Sequence, residues 1–416
     1  MPIVTLKRNI AGRELVIETG RLAAQAHGAV TVRYGDTLVL VAAVSAKPRE
    51  GIDFFPLTVD YREMTYAAGK FPGGFFKRDG RPTTNEILTA RAIDRPLRPL
   101  FPEHYKDDVA ISAIAMASDR LNDPDLCAIN GASAALAISP IPFYTPVAAV
   151  RVARVDGQIQ VNPTIPQLDT SDMDILLVCS AESVIMIEVR AKEAPEAVVN
   201  EAIQTGFKAC QEIIGLIVEL QKKAGKPKPA APAAPAEHPL RKVIVSRYYA
   251  AFQKACFVLG KAERRAAMKV VKEKAREELA KEFGGQPDWD KKLGEVWESL
   301  ETLAIREAIV KEGKRIDGRG LNDLRQLSAE VGVLPRVHGS AIFNRGETQA
   351  LCILTLGTTL DEQKIDGLRD EFFKRFMLHY NFPAWSVGET WPNARSRPSS
   401  RLPRPSPTPS ASSARS

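Results

Sequence analysis

The chain has 416 residues, 44% of them hydrophobic and 26% charged, which is room for two or three domains of an ordinary globular type. Its net charge of +7 overstates any general affinity for polyanions: the last 26 residues hold five arginines and no acid, and without them the balance is +2. Five dispersed cysteines with no CxxC pair exclude a disulfide framework and a zinc site, and the start MPIVTLKRNIAG lacks the charged-then-apolar build of a signal peptide.

Residues 10–45 alternate in strand fashion through Glu14–Glu18, Ala29–Arg33 and Thr37–Val44, with a turn at Tyr34-Gly35-Asp36. β-Branched residues at period two joined by glycine turns predict an antiparallel meander. Another strand is expected through Phe54–Tyr61.

The stretch Phe71–Pro102, FPGGFFKRDGRPTTNEILTARAIDRPLRPLFP, sets two aromatics beside two cations in a loop, Phe75-Phe76-Lys77-Arg78. Aromatic faces stack on bases and cations neutralise phosphates, the composition a single-stranded nucleic-acid grip requires. The same composition also fits a surface hairpin whose phenylalanines fold back onto a core. Thr83 and Glu86 have the spacing of a capping box for a helix over Asn85–Arg95, which Pro96 ends. Arg91 and Arg95 sit at i and i+4 and share a face, and Arg98 follows in an extended segment. Either these arginines meet RNA, or Asp94 pairs with Arg91 or Arg98 on a solvated surface.

A strand is expected at Val109–Ser118. The uncharged run Leu126–Val150 has the length of a membrane span, but Pro140, Pro142 and Pro146 break it. It reads as a buried helix, Cys127–Ile138, and a loop, in a cytoplasmic protein with no membrane partner. Alternation returns at Val147–Val155, Gln158–Val161, Ile175–Ser180 and Ser183–Arg190. Apolar residues at helical spacing then predict a long amphipathic helix over Glu193–Leu220. The first 220 residues therefore form an α+β domain. Lys222–Pro239, rich in Pro, Ala and Lys, reads as a semi-rigid linker with nothing to bury. Lys242–Ile309 reads as a small all-α domain of about three helices.

A second meander begins after Lys314. His27–Thr37 lies over His338–Thr348 at a constant offset, Glu18-Thr19-Gly20 over Glu330-Val331-Gly332 with a one-residue shift, and Asp60-Tyr61 over Asn381-Phe382 after an insertion. The shared order argues for duplication, and the two histidines, each before a glycine at a strand entry, read as structural. The counterpart of Phe71–Pro102 is due just after Thr390. Instead the chain becomes WPNARSRPSSRLPRPSPTPSASSARS, whose composition predicts disorder. Arg, Pro, Ser and Ala are what GC-rich coding sequence yields out of frame, so a frameshift near codon 390 is the hypothesis; an unbroken frame on resequencing would sink it.

Five stretches in order (GAVTVRYGDTLVLV, the Phe71–Pro102 segment, RIDGR at Arg315–Arg319, VLPRVHGSAIFNRGETQALCILTLGT and FMLHYNFPAWSVGE) resemble the bacterial polynucleotide phosphorylases, also called polyribonucleotide nucleotidyltransferases, over residues 1–390. The resemblance implies an RNase PH-like α+β domain at 1–221, a linker at 222–239, an all-helical domain at 240–312, the start of a second RNase PH-like domain at 313–390, and an unrelated tail at 391–416. It implies phosphate-dependent, processive 3′→5′ degradation of RNA to nucleoside diphosphates, reversible as polymerisation. A Mg2+ requirement, a homotrimer with a central RNA channel, and a place in an RNA-degradation complex are implied with it. The RNA-holding role falls on Phe75, Phe76, Lys77 and Arg78, with Lys77 standing where arginine is more usual.

The family's phosphate-binding and metal-binding residues belong to the second domain beyond the match, so no catalytic or metal residue is assigned. Arg395, Arg397 and Ser399 match no motif. A non-catalytic RNA-binding or assembly remnant is the alternative reading. A single-domain tRNA-trimming enzyme is a third, which the duplication and the helical bridge disfavour.

Overall fold

The computed structural model describes residues 2–48, 54–73, 77–103, 105–230, 239–286 and 288–388, and the backbone alone at 397–398. The chain divides into two compact units, Met1–Pro232 with Thr358–Ser416, and Ala233–Gly357.

In the first unit, β1 (Val4–Ile10), β2 (Arg13–Thr19), β3 (Gly28–Tyr34) and β4 (Thr37–Ala46) form the expected antiparallel meander. β5 (Leu57–Glu63) does not continue it. β6 (Asp108–Ala117) inserts beside β4, and β5 pairs with β6 in parallel, giving the order β1-β2-β3-β4-β6-β5. Between them runs α1 (Thr84–Leu97), the crossover that a parallel pair requires. α1 is two residues longer at its C-terminus than predicted, because Pro96 lies inside its last turn. There it removes one hydrogen bond at a fraying end and buries its ring. Both bonds of the Thr83–Glu86 capping box are present.

A second sheet, in the order β10-β9-β7-β8, comprises β7 (Ala148–Val155), β8 (Gln158–Val161), β9 (Met173–Cys179) and β10 (Val184–Ala191), all antiparallel. α2 (Pro124–Ile138) packs on β3, β4, β6 and β7, and every one of its residues is buried. Small side chains permit that approach: a Cβ on Gly131 would lie 2.6 Å from a Val41 methyl. Its polar groups are matched to the second sheet, Asn130 exchanging two bonds with the Ala149 backbone (3.0 and 2.7 Å) and Ser133 accepting from Val147 N (2.9 Å). A short helix, α3 (Ile165–Thr170), precedes β9, and the long amphipathic α4 (Glu196–Ala224) lies against β1, β7 and β9.

The linker expected at 222–239 is only partly free. Lys226 Nζ donates to His27 O (2.6 Å), and Lys228 Nζ donates to the carbonyls of Leu136, Ser139 and Ile141 (2.8, 2.7 and 2.6 Å), so Lys228 caps the C-terminus of α2 from afar. Burial pushes the Lys228 ammonium down to about 8, while the three carbonyls favour its charged form. Residues 231–238 lie outside the described residues.

Among its described residues the second unit holds four α-helices where about three were expected: α5 (Pro239–Arg247), α6 (Tyr249–Cys256), α7 (Lys261–Phe283) and α8 (Trp289–Glu307). The extra break falls at Tyr248, whose backbone leaves helical geometry while its hydroxyl reaches Glu278 of α7. Phe252 and Trp297 pack at 4.7 Å in the centre of this core. The second meander follows as β11 (Leu327–Val331), β12 (Gly339–Arg345) and β13 (Thr348–Leu354).

The duplication is visible in the hydrogen bonds. Gly28 pairs with Ala43 and Tyr34 with Thr37; 311 residues on, Gly339 pairs with Leu354 and Arg345 with Thr348. Leu15 pairs with Tyr34 and Leu327 with Arg345, carrying the one-residue shift expected upstream. His27 Nδ1 accepts from Ser45 N (2.9 Å), and His338 Nδ1 accepts from Leu356 N (2.8 Å). Both histidines are strand-entry locks, as their sequence context predicts.

Residues from Thr358 onward belong with the first unit and include a small hairpin, β14 (Gln363–Ile365) and β15 (Phe372–Lys374). The tail expected to be disordered, with Arg395 and Ser399, lies outside the described residues, except that the backbone of Arg397–Pro398 bridges to His379–Tyr380.

Candidate nucleic-acid interface

The Phe71–Pro102 segment runs from the end of β5 to the entry of β6, and α1 fixes its second half. Phe75 and Phe76 lie outside the described residues. Lys77 and Arg78 are exposed, as is Arg91 on α1, and none of the three has a hydrogen bond or ion pair with another described residue.

The other two arginines differ. Arg95 pairs with Glu188 of β10, tying α1 to the second sheet. Arg98 closes on Asp94 (2.6 and 3.0 Å), donates to Phe55 O (3.2 Å) and Leu57 O (3.0 Å), and lies over the Phe55 ring. Of the two partners considered for Asp94, Arg98 is the one it takes. The segment therefore separates into free cations (Lys77, Arg78, Arg91) and committed ones (Arg95, Arg98).

Behind the segment lies a group of acids and arginines that sequence reasoning missed. Glu63, at the end of β5, accepts from Tyr61 Oη (3.1 Å) and Asn85 Nδ2 (2.8 Å), and its backbone N–H donates to Glu86 Oε1 (2.9 Å). Burial, then the Asp123 charge, pushes the Glu63 carboxyl up to about 7. Arg62 reaches Glu86 at 3.5 Å. Arg151, buried on β7, bridges Asp125 and Asp174, with Asp123 at 3.8 Å. Burial opposes the Arg151 charge, but those carboxylates outweigh it and raise its pKa. Arg369 adds a bond to Asp123 at 3.0 Å.

Glu86, Asp123, Asp125 and Asp174 are paired with guanidinium groups, Glu63 is held by Tyr61 and Asn85 instead, and among the described residues no cluster of three His, Cys, Asp or Glu could hold a metal ion. Arg151 of β7 thus ties α2 to β9, and Glu86 of α1 ties that helix to β5. The only hints of this group in the sequence were isolated acids on separate elements, which nothing in their spacing connects.

Comparison with known proteins places this architecture. A model described as the 3′ exoribonuclease family, domain 1, matches residues 11–142 and again 323–406. The family's domain 2 matches 145–209, and the polyribonucleotide nucleotidyltransferase RNA binding domain matches 239–320. The second domain 1 match runs past residue 390, where the likeness was expected to stop.

A polyribonucleotide nucleotidyltransferase of Geobacter sulfurreducens is 50% identical over 381 residues, 91% of this chain and 54% of that protein. Those of Sorangium cellulosum and Geotalea uraniireducens are 47% and 48% identical over 92% and 91% of this chain, and 51% and 54% of theirs. The chain thus spans about half the length of the curated relatives it matches. Among solved structures, rice Rrp46 aligns at 18% identity with a TM-score of 0.41, over 53% of this chain and 94% of that one. With two domain 1 matches, a domain 2 match and the helical module between them, the chain belongs to the 3′ exoribonuclease (RNase PH) family, in its polyribonucleotide nucleotidyltransferase branch.

Proposed function

We propose that the first domain grips single-stranded RNA through Phe75, Phe76, Lys77, Arg78 and Arg91, with Arg95 and Arg98 holding the scaffold. The observation that supports it is the division of the cations: three exposed ones are left without a partner among the described residues, while their two neighbours are consumed internally. Cations held apart from carboxylates on one segment are available to phosphates, and aromatics beside them supply stacking faces. Phe75→Ala with Phe76→Ala is expected to weaken binding to an oligo(A) single strand by about 1–3 kcal/mol per stacked base, measured by fluorescence anisotropy. Unchanged affinity in a folded variant returns both phenylalanines to the folded-back reading.

The parent activity in this reading is phosphorolysis. An oxygen of inorganic phosphate attacks the phosphorus of the 3′-terminal linkage, the bond from that phosphorus to the 3′ oxygen of the preceding nucleotide breaks, and a nucleoside diphosphate leaves. The preceding nucleotide keeps a free 3′ hydroxyl, so the step repeats 3′→5′ and reverses as polymerisation. The chemistry demands neutralisation of crowded phosphoryl charge. The Mg2+ that would share in that neutralisation finds no fitting ligand set among the described residues, so no step is assigned to it.

Family likeness supports the domain layout 1–221, 240–312 and 313–390 with a linker at 222–239. It also supports a homotrimer, an RNA-degradation partner and a cytoplasmic site of action; among the described residues no helix is long and apolar enough to cross a membrane. The experiment is to incubate the chain with poly(A), phosphate and magnesium and to measure ADP. Release at rates typical of phosphorolytic enzymes establishes the activity in this chain. RNA binding without release favours the second reading, a non-catalytic RNA-binding remnant.

A further inference from the structure

The chain that leads into the RNA-contact loop is held by residues almost three hundred positions later. Ile365 and Phe372 pair across β14 and β15, and an ion pair between Lys364 and Glu371 (2.8 Å) closes the hairpin around its tip, Asp366–Asp370. The tip is inserted into the first unit: Leu368 is 5% exposed and joins the main core.

On one side of the tip, Lys70 Nζ donates to Arg369 O (2.7 Å) and Gly367 O (3.1 Å) and approaches Asp366 at 3.5 Å. Asp366 also lies beside Gly73, where a Cβ would be 3.5 Å from its carboxylate. On the other side, Arg120 donates to Asp370 (3.1 Å) and to Ala68 O (3.1 Å), and Arg369 reaches Asp123 (3.0 Å). Lys70 thus ties the tip to Ala68–Gly73 directly, and Arg120 ties it there through Ala68 O. The downstream side of the loop has its own anchors, Arg62 on Gly80 O (3.0 Å) and the Thr83–Glu86 capping box.

Two carboxylates beside an RNA face repel RNA, so their placement calls for another role. We propose that the Asp366–Asp370 tip is a positioning clamp: with Lys70 and Arg120 it sets where the chain leaves Ala68–Gly73 toward Lys77 and Arg78, and so sets affinity for single-stranded RNA. The clamp rests on the RNA-grip reading above. Fixing both ends of the loop lowers the ordering cost that RNA binding must otherwise meet.

The sign of one measurement separates clamp from bystander. In the full chain, Asp366→Ala with Asp370→Ala removes two negative charges near the RNA face, and electrostatics alone predicts tighter binding of a fluorescein-labelled oligo(A) 20-mer. The clamp predicts the reverse, a Kd raised about five-fold, the loss of a well-placed phosphate contact, with a shallower dependence on salt. Equal or tighter binding with unchanged circular dichroism overturns the clamp.

Should that variant lose its fold, Lys70→Met and Lys70→Arg carry the test. Methionine loses the donors and weakens binding, arginine keeps them and restores it, and equal effects overturn the proposal. Lys77→Ala with Arg78→Ala is the control for the underlying reading. If it leaves RNA binding unchanged, the grip fails and the clamp with it; if it weakens binding while the tip variants do not, the clamp alone fails.

Discussion

The two meanders have one hydrogen-bond register and opposite surroundings. In the first, Val32, Val41 and Ala43 are fully buried beneath α2. In the second, Phe343, Cys352 and Leu354 occupy the same register positions; Phe343 is 43% and Leu354 51% exposed, and all of β13 is exposed. Strand sequence and glycine turns are thus sufficient to set pairing, since Gly35 and Gly346 both take the left-handed turn (φ 61° and 60°). Burial depends on a covering helix, and no strand residue supplies that.

Three measurements can break or sharpen this contrast. The largest effect is expected from truncating the matched core positions. Val32→Ala should cost roughly 2–3 kcal/mol in urea unfolding of the first unit, whereas Phe343→Ala, a larger truncation, should cost under about 0.5 kcal/mol. Comparable losses would mean that the second sheet is covered in solution.

Next comes pH. Glu63 is raised from 4.5 to about 7 on folding, so the folded state binds more protons between those values. Its contribution to stability is fully present below about 4.5 and is lost as pH rises through 7. Glu63→Gln, which mimics the neutral carboxyl, should therefore match the parent at pH 4.5 and exceed it by on the order of 2 kcal/mol at pH 8. Among the described residues no carboxylate is buried in the second meander, so this pH dependence should appear in the unfolding of the first unit alone. A variant less stable than the parent at pH 8 would contradict the assignment.

The smallest effect concerns the paired histidine locks. His27→Ala breaks a part-buried bond and should cost about 1 kcal/mol, while His338→Ala breaks an exposed one and should cost a few tenths, read from thermal melts. Equal costs would show that exposure does not separate the two copies.

Much of this was legible in residue order. Alternation marked the strands, Thr83 and Glu86 marked the start of α1, and the shared order of short matches marked the duplication. What stayed hidden depended on partners far apart in sequence. Nothing local says that β5 runs parallel to β6, that Arg98 turns back onto Asp94 and the Phe55 and Leu57 carbonyls, or that Lys228 finds three carbonyls at the end of α2. Pro96 reads as a stop because a proline breaks a helix interior; in a last turn it breaks little. The free cations of the candidate interface could be named from composition, but separating them from the committed ones required coordinates.

The cysteines turn the contrast between the meanders into a reagent. Cys127, Cys179, Cys210 and Cys256 are buried, and burial raises the thiols of Cys127 and Cys256, the latter to about 11, so they offer almost no thiolate at neutral pH. Cys352 is exposed, on the strand that faces solvent where its counterpart Val41 is covered. A maleimide dye added to the native chain thus marks one atom on the uncovered sheet, and any second equivalent taken up reports that a core has opened.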